Sequence, residues 1–164
     1  METDRLIIDY LKESDKEDYF NNVTNDKKVL ETFICNHVEK IEDFDFSKYL
    51  GREDLFAIRL KERGNLIGIM VTCEEKETSC EIGYCIGSRY WGNGYATEAV
   101  KRFINYLFEE RGFETVYASF FTGNYASKHV MEKCGMTYSH FNEKELQYLG
   151  VDRDLTYYKI TKQI

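Results

Sequence analysis

Two glycines and an arginine near the middle of the chain form the segment whose residue types could bind an anion. The segment reads Arg89-Tyr90-Trp91-Gly92-Asn93-Gly94 and ends where an amphipathic stretch begins. Glycine has no Cβ to obstruct an approaching phosphate, and it tolerates the positive φ angles at which successive backbone N–H groups converge. Arg89 adds a permanent positive charge. The spacing therefore predicts a backbone cradle for a phosphate group.

The residues around this turn predict a strand before it and a helix after it. Glu81 to Gly87 (EIGYCIG) has the bulky, partly alternating pattern of a strand. Tyr95 to Arg111 has the apolar periodicity of an amphipathic helix. The turn thus leads directly into a helix N-terminus, where the first N–H groups lack intrahelical partners and the dipole favours negative charge.

Three interpretations of the glycine turn compete, and two of them fail on spacing. A P-loop requires Lys and then Ser or Thr after the second glycine, whereas Tyr95 follows Gly94 here. A dinucleotide fingerprint requires a third small residue where Thr97 stands, and it normally belongs to an opening βαβ unit. A plain strand-to-helix turn would explain the glycines but neither Arg89 nor the cluster at 124–136.

The length and composition predict a single domain covering residues 1–164. The chain is 43% hydrophobic and rich in aromatic residues, which excludes a disordered chain. It contains no run of eighteen apolar residues that could span a bilayer. Met1 to Arg5 carries charges and continues into Leu6, Ile7 and Ile8, which predicts a first strand instead of a signal peptide. We therefore expect a cytoplasmic protein.

The net charge and the cysteines argue against several other classes of protein. A formal charge of −7 and a pI near 5.1 disfavour nucleic acid as a partner, because phosphate binding needs a basic face. An acidic surface would instead attract cationic small molecules or basic peptides. The five cysteines are odd in number and form no CxxC pair, so we expect buried thiols, no disulfide framework and no metal. We expect no membrane partner either.

The order of the predicted elements indicates an α+β fold with a mixed central sheet. Strands come first in hairpin succession and then alternate with helices. Residues 62–65 are rich in turn formers and predict a hairpin connection. The predicted strands are Asp4–Leu11, Leu55–Leu60, Leu66–Cys73, Ser79–Gly87, Thr115–Phe121, Met136–Phe141 and Thr156–Thr161.

Polar residues mark the starts of predicted helices. Ser14 and Glu17 have the spacing of a capping box, and Asn124 is a typical N-cap residue. Gly135 stands where the C′ residue of the last helix is expected. A further helix is predicted around residues 29–34.

Two motifs, in this order along the chain, resemble a known enzyme superfamily. Arg89-x-x-Gly92-x-Gly94-Tyr95-Ala96-Thr97-Glu98-Ala99 resembles the acetyl-CoA pyrophosphate motif of the GNAT N-acetyltransferases. Asn124-Tyr125-Ala126-Ser127, followed by residues 131–136, resembles the Asn-x-x-Ser…Lys-x-Gly-Phe element of the RimJ/RimL-type ribosomal-protein alanine and serine acetyltransferases. Thr3-Asp4-Arg5-Leu6 and Glu81-Ile82-Gly83-Tyr84 are also similar to that branch. The resemblance covers essentially the whole chain.

The resemblance implies a GNAT-like fold and a binding mode for acetyl-CoA as cosubstrate. About seven strands, of which the fourth and fifth splay apart, would be flanked by about four helices. The pantetheine arm would pair with the fourth strand, the diphosphate would lie on the glycine turn, and Asn124 and Ser127 would face the pantetheine end. A backbone N–H near Tyr84 would polarise the thioester carbonyl. The implied binding residues are Tyr84, Cys85, Ile86, Arg89, Tyr90, Trp91, Gly92, Asn93, Gly94, Tyr95, Ala96, Thr97, Asn124 and Ser127.

Two residues are the candidate catalysts for direct transfer of the acetyl group to an amine. We expect Glu81 to accept a proton from the amine, directly or through water, although an exposed strand carboxylate is the alternative. We expect Ser127 to protonate the departing thiolate, although a role in the first helical turn is the alternative. Many superfamily members carry a tyrosine where this chain has Met131. A covalent route through Cys85 or Cys134 is disfavoured, because burial would raise the pKa of either thiol.

Two functions of different classes are compatible with these features. The first is an acetyl-CoA-dependent N-acetyltransferase, and the second is a catalytically silent CoA-binding sensor or interaction module. For an enzyme, the branch implies a protein N-terminus as acceptor, especially that of a ribosomal protein. Polyamines, aminoglycosides and amino acids are alternatives that loop variation permits. Residues 25–50 and 142–152 are expected to line the acceptor pocket, and a monomer and a homodimer are both compatible with the sequence.

Overall fold

The computed structural model describes residues 1–163, which form two compact units. Unit 1 comprises residues 1–71 and 84–102, and unit 2 comprises residues 72–83 and the chain from residue 103 onward. The described residues contain seven strands and four α-helices, as the α+β prediction requires. The strands are β1 (Leu6–Tyr10), β2 (Leu55–Leu60), β3 (Leu66–Glu75), β4 (Ser79–Ile86), β5 (Thr115–Phe121), β6 (Thr137–Tyr148) and β7 (Val151–Thr161). The helices are α1 (Lys16–Tyr19), α2 (Lys27–Leu30), α3 (Tyr95–Glu109) and α4 (Tyr125–Lys133).

The strands form one mixed sheet in the order β1-β2-β3-β4-β5-β7-β6. β4 and β5 run parallel, and their ladder joins Ser79–Ile82 to Thr115–Ala118. The predicted mixed sheet of about seven strands is therefore confirmed.

Unit 1 is built on an antiparallel meander with an aromatic core. β2 and β3 form the predicted hairpin, with Leu55 opposite Val71. Phe44, Phe46 and Tyr49 surround the buried Tyr19, with ring centroids 5.0 to 5.7 Å from that of Tyr19. This cluster gives the segment after α2, whose structure the sequence did not determine, a role in packing the core.

The start of the first helix differs from the sequence-based prediction. Ser14 is not the cap; instead the carboxylate of Asp15 accepts the backbone N–H of Lys12 at 2.7 Å. A short 3₁₀ turn over Glu13–Asp15 then leads into α1, which continues as a π-helical turn over Phe20–Thr24. Asp15 is also the buried partner of Arg59, 44 residues away, so a tertiary contact helps to hold its carboxylate in this position. Such a tertiary contact leaves no local signal.

Unit 2 contains the β4–β5 ladder and a long hairpin of β6 and β7. β7 pairs with β5 along the whole length of β5, from Thr115 opposite Thr161 to Phe121 opposite Leu155. Both hairpin strands extend further than the sequence predicted, and they meet in a tight turn at Leu149 and Gly150, where φ is 52° and 75°. β6 is largely exposed and polar, so it lacks the apolar alternation that identifies a strand.

Candidate active site

The glycine turn, residues 87–96 of unit 1, connects β4 to α3. Gly92 and Gly94 have φ angles of 79° and 78°, in the left-handed region that favours glycine. A Cβ placed on Gly92 would meet no atom within 4 Å. Arg89 is exposed at the start of the turn. The turn thus has the open approach and the positive charge that an anion site requires.

Five successive backbone N–H groups, from Gly92 to Ala96, donate to no acceptor within residues 1–163. The first bond of the α3 ladder runs from the N–H of Glu98 to the carbonyl of Gly94, at 3.1 Å. The amides before it therefore lie at the positive end of the helix dipole. Convergent N–H groups at a helix start bind phosphate groups, so these residues have the chemistry of an anion site.

Side chains within the turn hold its shape. The amide nitrogen Nδ2 of Asn93 donates to the carbonyls of Tyr90 and Trp91, at 3.0 and 3.1 Å. The indole N–H of Trp91 donates to the carbonyl of Ile86 at the end of β4, at 2.6 Å. Trp91 nevertheless remains 47% exposed. The turn is therefore preorganised, while about half of the Trp91 side chain stays exposed to solvent.

Arg5 fixes the same turn from the beginning of the chain. Its Nη1 donates to the carbonyl of Asn93 at 3.0 Å, and its Nε donates to Oε2 of Glu98 at 2.7 Å. The guanidinium carbon also lies 4.6 Å from the centroid of the Tyr95 ring. Sequence reasoning gave Arg5 no role, although it stands in the family-like stretch at 3–6. A contact across 88 residues has no local signature.

The predicted pantetheine segment, Tyr84 to Ile86, forms the end of β4. Cys85 is buried within it, and desolvation raises the pKa of its thiol well above the ordinary value. A thiolate, which a covalent route would require, is therefore disfavoured at Cys85. Tyr84 to Ile86 supply the backbone of the last, turn-proximal part of β4, and the side chains of Cys85 and Ile86 are buried.

The predicted cap of the last helix is confirmed at Asn124. Its side-chain oxygen accepts the backbone N–H of Ser127 at 3.3 Å, which places Ser127 in the first turn of α4. Ser127 is partly buried, and Met131 is completely buried one turn further on. The position where many family members carry a tyrosine thus serves the core here. Gly135 ends the helix region with a φ of 84°, as predicted.

A cavity of about 420 Å³ lies in unit 2, and it contains Glu81. Three carboxylates line it, those of Glu74, Glu81 and Glu145. Lys76 is the one lining residue, among those the structure describes, with a permanent positive charge. The remaining walls carry hydroxyl, amide and aromatic groups, from Ser79, Tyr117, Ser139, His140, Asn142 and Tyr157. Such a lining suits a cationic amine.

Glu81 is held inside this cavity by a hydrogen bond from the neighbouring strand. The hydroxyl of Ser119 on β5 donates to its Oε1 at 2.9 Å. Burial raises the pKa of Glu81 above its ordinary value, the Ser119 bond offsets part of this rise, and the charges of Glu74 and Glu145 add to it. A raised pKa brings a carboxylate closer to the range useful for a general base.

Strand register extends the Glu81 and Ser119 pair into a row of polar groups across unit 2. Ser119 lies opposite Tyr157 on β7, and Tyr157 lies opposite His140 on β6. The His140 and Tyr157 rings stack, with centroids 4.3 Å apart. Burial and then the charge of Glu81 raise the pKa of Tyr157 to about 12. Sequence reasoning missed this row, because register between distant strands is not encoded locally.

Within residues 1–163, no three His, Cys, Asp or Glu side chains come together in a group able to hold a metal ion. The same residues contain no helix with the length and hydrophobicity that crossing a lipid bilayer requires.

Comparison with protein families gives a match over most of the chain. The acetyltransferase (GNAT) domain family matches residues 5–137, which include the glycine turn, Glu81 and the start of α4. The chain belongs to the GNAT acetyltransferase family. This membership confirms the superfamily predicted from the two motifs and identifies the protein as an acetyltransferase.

Two relatives of this GNAT protein come from Bacillus subtilis (strain 168). The uncharacterized protein YkkB is 33% identical over 146 residues, which are 84% of each chain. The putative ribosomal N-acetyltransferase YdaF is 30% identical over 102 residues, which are 61% of this chain and 56% of YdaF. The latter agrees with the predicted similarity to the RimJ/RimL branch.

Two solved structures show the same GNAT fold. An acetyltransferase of the GNAT family from Bacillus anthracis superposes with a TM-score of 0.86 at 26% identity, covering 98% of this chain and 97% of that one. Spermidine N-acetyltransferase from Vibrio cholerae, solved in complex with CoA and spermine, has a TM-score of 0.78 at 19% identity, with 97% and 96% covered. At that identity the second likeness concerns the fold alone.

Proposed function

We propose that this GNAT protein transfers the acetyl group of acetyl-CoA to a primary amine, by direct transfer in a ternary complex. The observation that carries the proposal is the glycine turn, whose five unengaged amides from Gly92 to Ala96 precede α3. They match the negative charge of a diphosphate, and the open space over Gly92 admits it. Acetyl-CoA supplies the activated acyl group as a thioester.

The acceptor amine enters the acidic cavity of unit 2 in this proposal. An amine is mostly protonated at neutral pH, so a cavity with three carboxylates attracts it in its cationic form. Glu81 then takes the proton that the amine must lose to become a nucleophile. The hydrogen bond from Ser119 keeps the Glu81 carboxylate oriented while it does so.

Ser127 is the proposed donor of the proton that the departing thiolate takes up. Its place in the first turn of α4, fixed by the Asn124 cap, gives the hydroxyl a defined position. The burial of Cys85 supports direct transfer, because the raised pKa disfavours a thiolate that could accept the acetyl group first. The backbone N–H near Tyr84 remains the proposed donor to the thioester carbonyl.

Two acceptor classes follow from the relatives and the cavity. YdaF is named as a putative ribosomal N-acetyltransferase, which favours the α-amine of a protein N-terminus. The Vibrio cholerae protein, which shares the fold, was solved with CoA and spermine, so a small polyamine is the second candidate. The acidic lining is compatible with both, because both amines are cations near neutral pH. Whether the protein acts as a monomer or a homodimer does not alter either proposal.

The experiment that tests the function is a thiol-release screen. Acetyl-CoA is offered with peptides that begin with Ala or Ser, with lysine-containing peptides and with di- and polyamines, and free CoA is measured. We expect amine-dependent release with at least one class and a matching acetylated product. Binding of CoA without release for any amine would instead favour a silent CoA-binding module, and acceptor-independent release alone would indicate hydrolysis of the thioester in place of transfer.

The role of Glu81 is tested with the Glu81→Gln variant, once an acceptor is known. Loss of the base should lower the turnover at neutral pH and remove the acidic limb of the pH profile. An unchanged turnover across the pH range would remove Glu81 from the mechanism and leave the amine to be deprotonated by water.

A further inference from the structure

We propose that Arg5 is a positioning residue for the diphosphate of acetyl-CoA, which it serves by orienting one backbone amide of the glycine turn. The inference rests on the proposed function, because it concerns the same binding site. Arg5 directly precedes β1, and its hydrogen bond to the Asn93 carbonyl joins the start of that strand to the turn.

The peptide bond between Asn93 and Gly94 is planar, so the orientation of its carbonyl fixes that of its N–H. The carbonyl of Asn93 and the N–H of Gly94 belong to one trans peptide unit and point in opposite directions. Because Arg5 Nη1 holds this carbonyl at 3.0 Å, the N–H of Gly94 is directed away from Arg5. That N–H is one of the five unengaged amides. Arg5 thus determines the direction of a diphosphate donor without contacting the ligand.

Three other contacts prevent Arg5 from turning away. Its Nε and Nη2 lie 2.7 and 2.6 Å from the same oxygen, Oε2 of Glu98, in a charge-assisted contact. Its backbone N–H also donates to Oε1 of Glu98, at 3.0 Å. Its guanidinium covers the Tyr95 ring. A left-handed residue such as Gly94 has little intrinsic preference for one peptide orientation, so this anchoring selects the orientation.

Arg5 also neutralises a carboxylate beside the proposed anion site. Burial raises the pKa of Glu98, but the hydrogen bonds from Thr3 and Arg5 outweigh it, and the net pKa is lowered. Glu98 is therefore ionised at neutral pH, one helical turn from the unengaged amides. Without Arg5 its negative charge would oppose a diphosphate.

The test compares CoA binding by Arg5→Lys, Arg5→Met and wild type, using isothermal titration calorimetry and ³¹P NMR of bound CoA. Arg5→Lys keeps the charge but loses the planar guanidinium, and we expect the Kd for CoA to rise about tenfold, the effect of losing one charge-assisted hydrogen bond. In the NMR spectrum the bound diphosphate resonances should move toward those of free CoA, while the 3′-phosphate resonance stays unchanged. Arg5→Met should weaken binding further.

The matched control is Arg52→Lys. Arg52 also pairs with a carboxylate through Nε and Nη2, which lie 2.9 and 2.6 Å from the two oxygens of Asp54. Its exposure is similar, with 41% of the side chain accessible against 48% for Arg5. This variant should lose a comparable amount of stability and keep both the Kd and the diphosphate resonances. Both arginines are about half exposed, so we expect neither substitution to prevent folding. Melting temperatures check this for every variant.

Adding Glu98→Gln to Arg5→Met tests the charge argument. The double variant should recover part of the lost affinity, because no uncompensated carboxylate remains beside the turn. An unchanged Kd in Arg5→Lys and Arg5→Met would overturn the positioning role, and so would equal movement of the diphosphate and 3′-phosphate resonances. Failure of the wild-type protein itself to bind CoA would overturn the proposed function instead.

Discussion

The hydroxyl of Ser119 donates to Oε1 of Glu81 across two parallel strands, at a distance of 2.9 Å. The bond stabilises the ionised carboxylate in a cavity whose other carboxylates disfavour that charge. A candidate base and the residue that orients it are therefore 38 residues apart in the sequence. This pairing leads to the first prediction.

Replacing Ser119 with alanine should move the acidic limb of the pH profile to higher pH. Without the donated hydrogen bond, the pKa of Glu81 rises further, so a smaller fraction of the enzyme carries the ionised base at a given acidic pH. The measurement is kcat/KM for the identified amine from pH 5 to pH 9. Ser119→Thr retains the hydroxyl and serves as the control, with a profile close to that of wild type. A limb that stays in place in Ser119→Ala would show that the bond has no influence on the base.

The Glu81→Gln variant should be more stable than wild type at neutral pH. The pKa of Glu81 is raised above its ordinary 4.5 in the folded protein, so stability is lost as the pH rises through the folded pKa. Glutamine cannot ionise, so the gain in the free energy of unfolding should be present at pH values above the folded pKa. It should vanish below about pH 4.5, the ordinary pKa of glutamate. Urea unfolding at several pH values measures it.

Asp54→Asn provides a control of opposite sign for that experiment. The hydrogen bond from Arg52 lowers the pKa of Asp54, so its stabilising contribution is present above the unfolded pKa and is lost as the pH falls. The asparagine variant should therefore be less stable than wild type at neutral pH. If Glu81→Gln also destabilised the protein at neutral pH, Glu81 would be a structural carboxylate.

Replacing Gly92 with valine should abolish CoA binding. The new side chain would occupy the open space over the turn, which we assign to the diphosphate. Gly64→Val is the matched control, since Gly64 also has a positive φ, of 72°, and open space around its Cβ position, but lies in the β2–β3 hairpin. Each variant should lose about 1 to 2 kcal/mol of stability to backbone strain. Calorimetry should then detect CoA binding only in Gly64→Val, and binding by Gly92→Val would remove the turn from the site.

Replacing Ser127 with alanine should lower kcat without a matching change in the Kd for CoA. A positioned general acid contributes on the order of a hundredfold to the rate, and alanine keeps the helix that Asn124 caps. Rapid-quench measurement at saturating acetyl-CoA and amine gives kcat for the chemical step. If the maximal rate is unchanged, water protonates the thiolate and Ser127 has a local role in the first turn of α4.

Elements with a strong local signal were predictable from the sequence. β2, β5 and the beginnings of β3 and α3 agree with the prediction to the residue, because apolar periodicity and turn formers mark them. The glycine turn also has a local signal, because glycine is the residue that most readily adopts the positive φ angles found at positions 92 and 94. The Asn124 cap belongs to this group as well.

Features that depend on distant partners were not predictable. The cap at Asp15 is shared with Arg59, and the anchor of the glycine turn is Arg5. Ser119 became a candidate only through its hydrogen bond to Glu81, which crosses from β5 to β4. The length of β6 was missed because its exposed, polar residues carry no apolar pattern. In each case the information lies in the tertiary arrangement.

The measurement that tests the central claim most directly is a crystal structure of the protein with CoA. The account predicts diphosphate oxygens within about 3 Å of the backbone nitrogens between Gly92 and Ala96, with Arg5 still bound to the Asn93 carbonyl. A CoA molecule whose diphosphate lies elsewhere, with those amides facing solvent or protein, would contradict it.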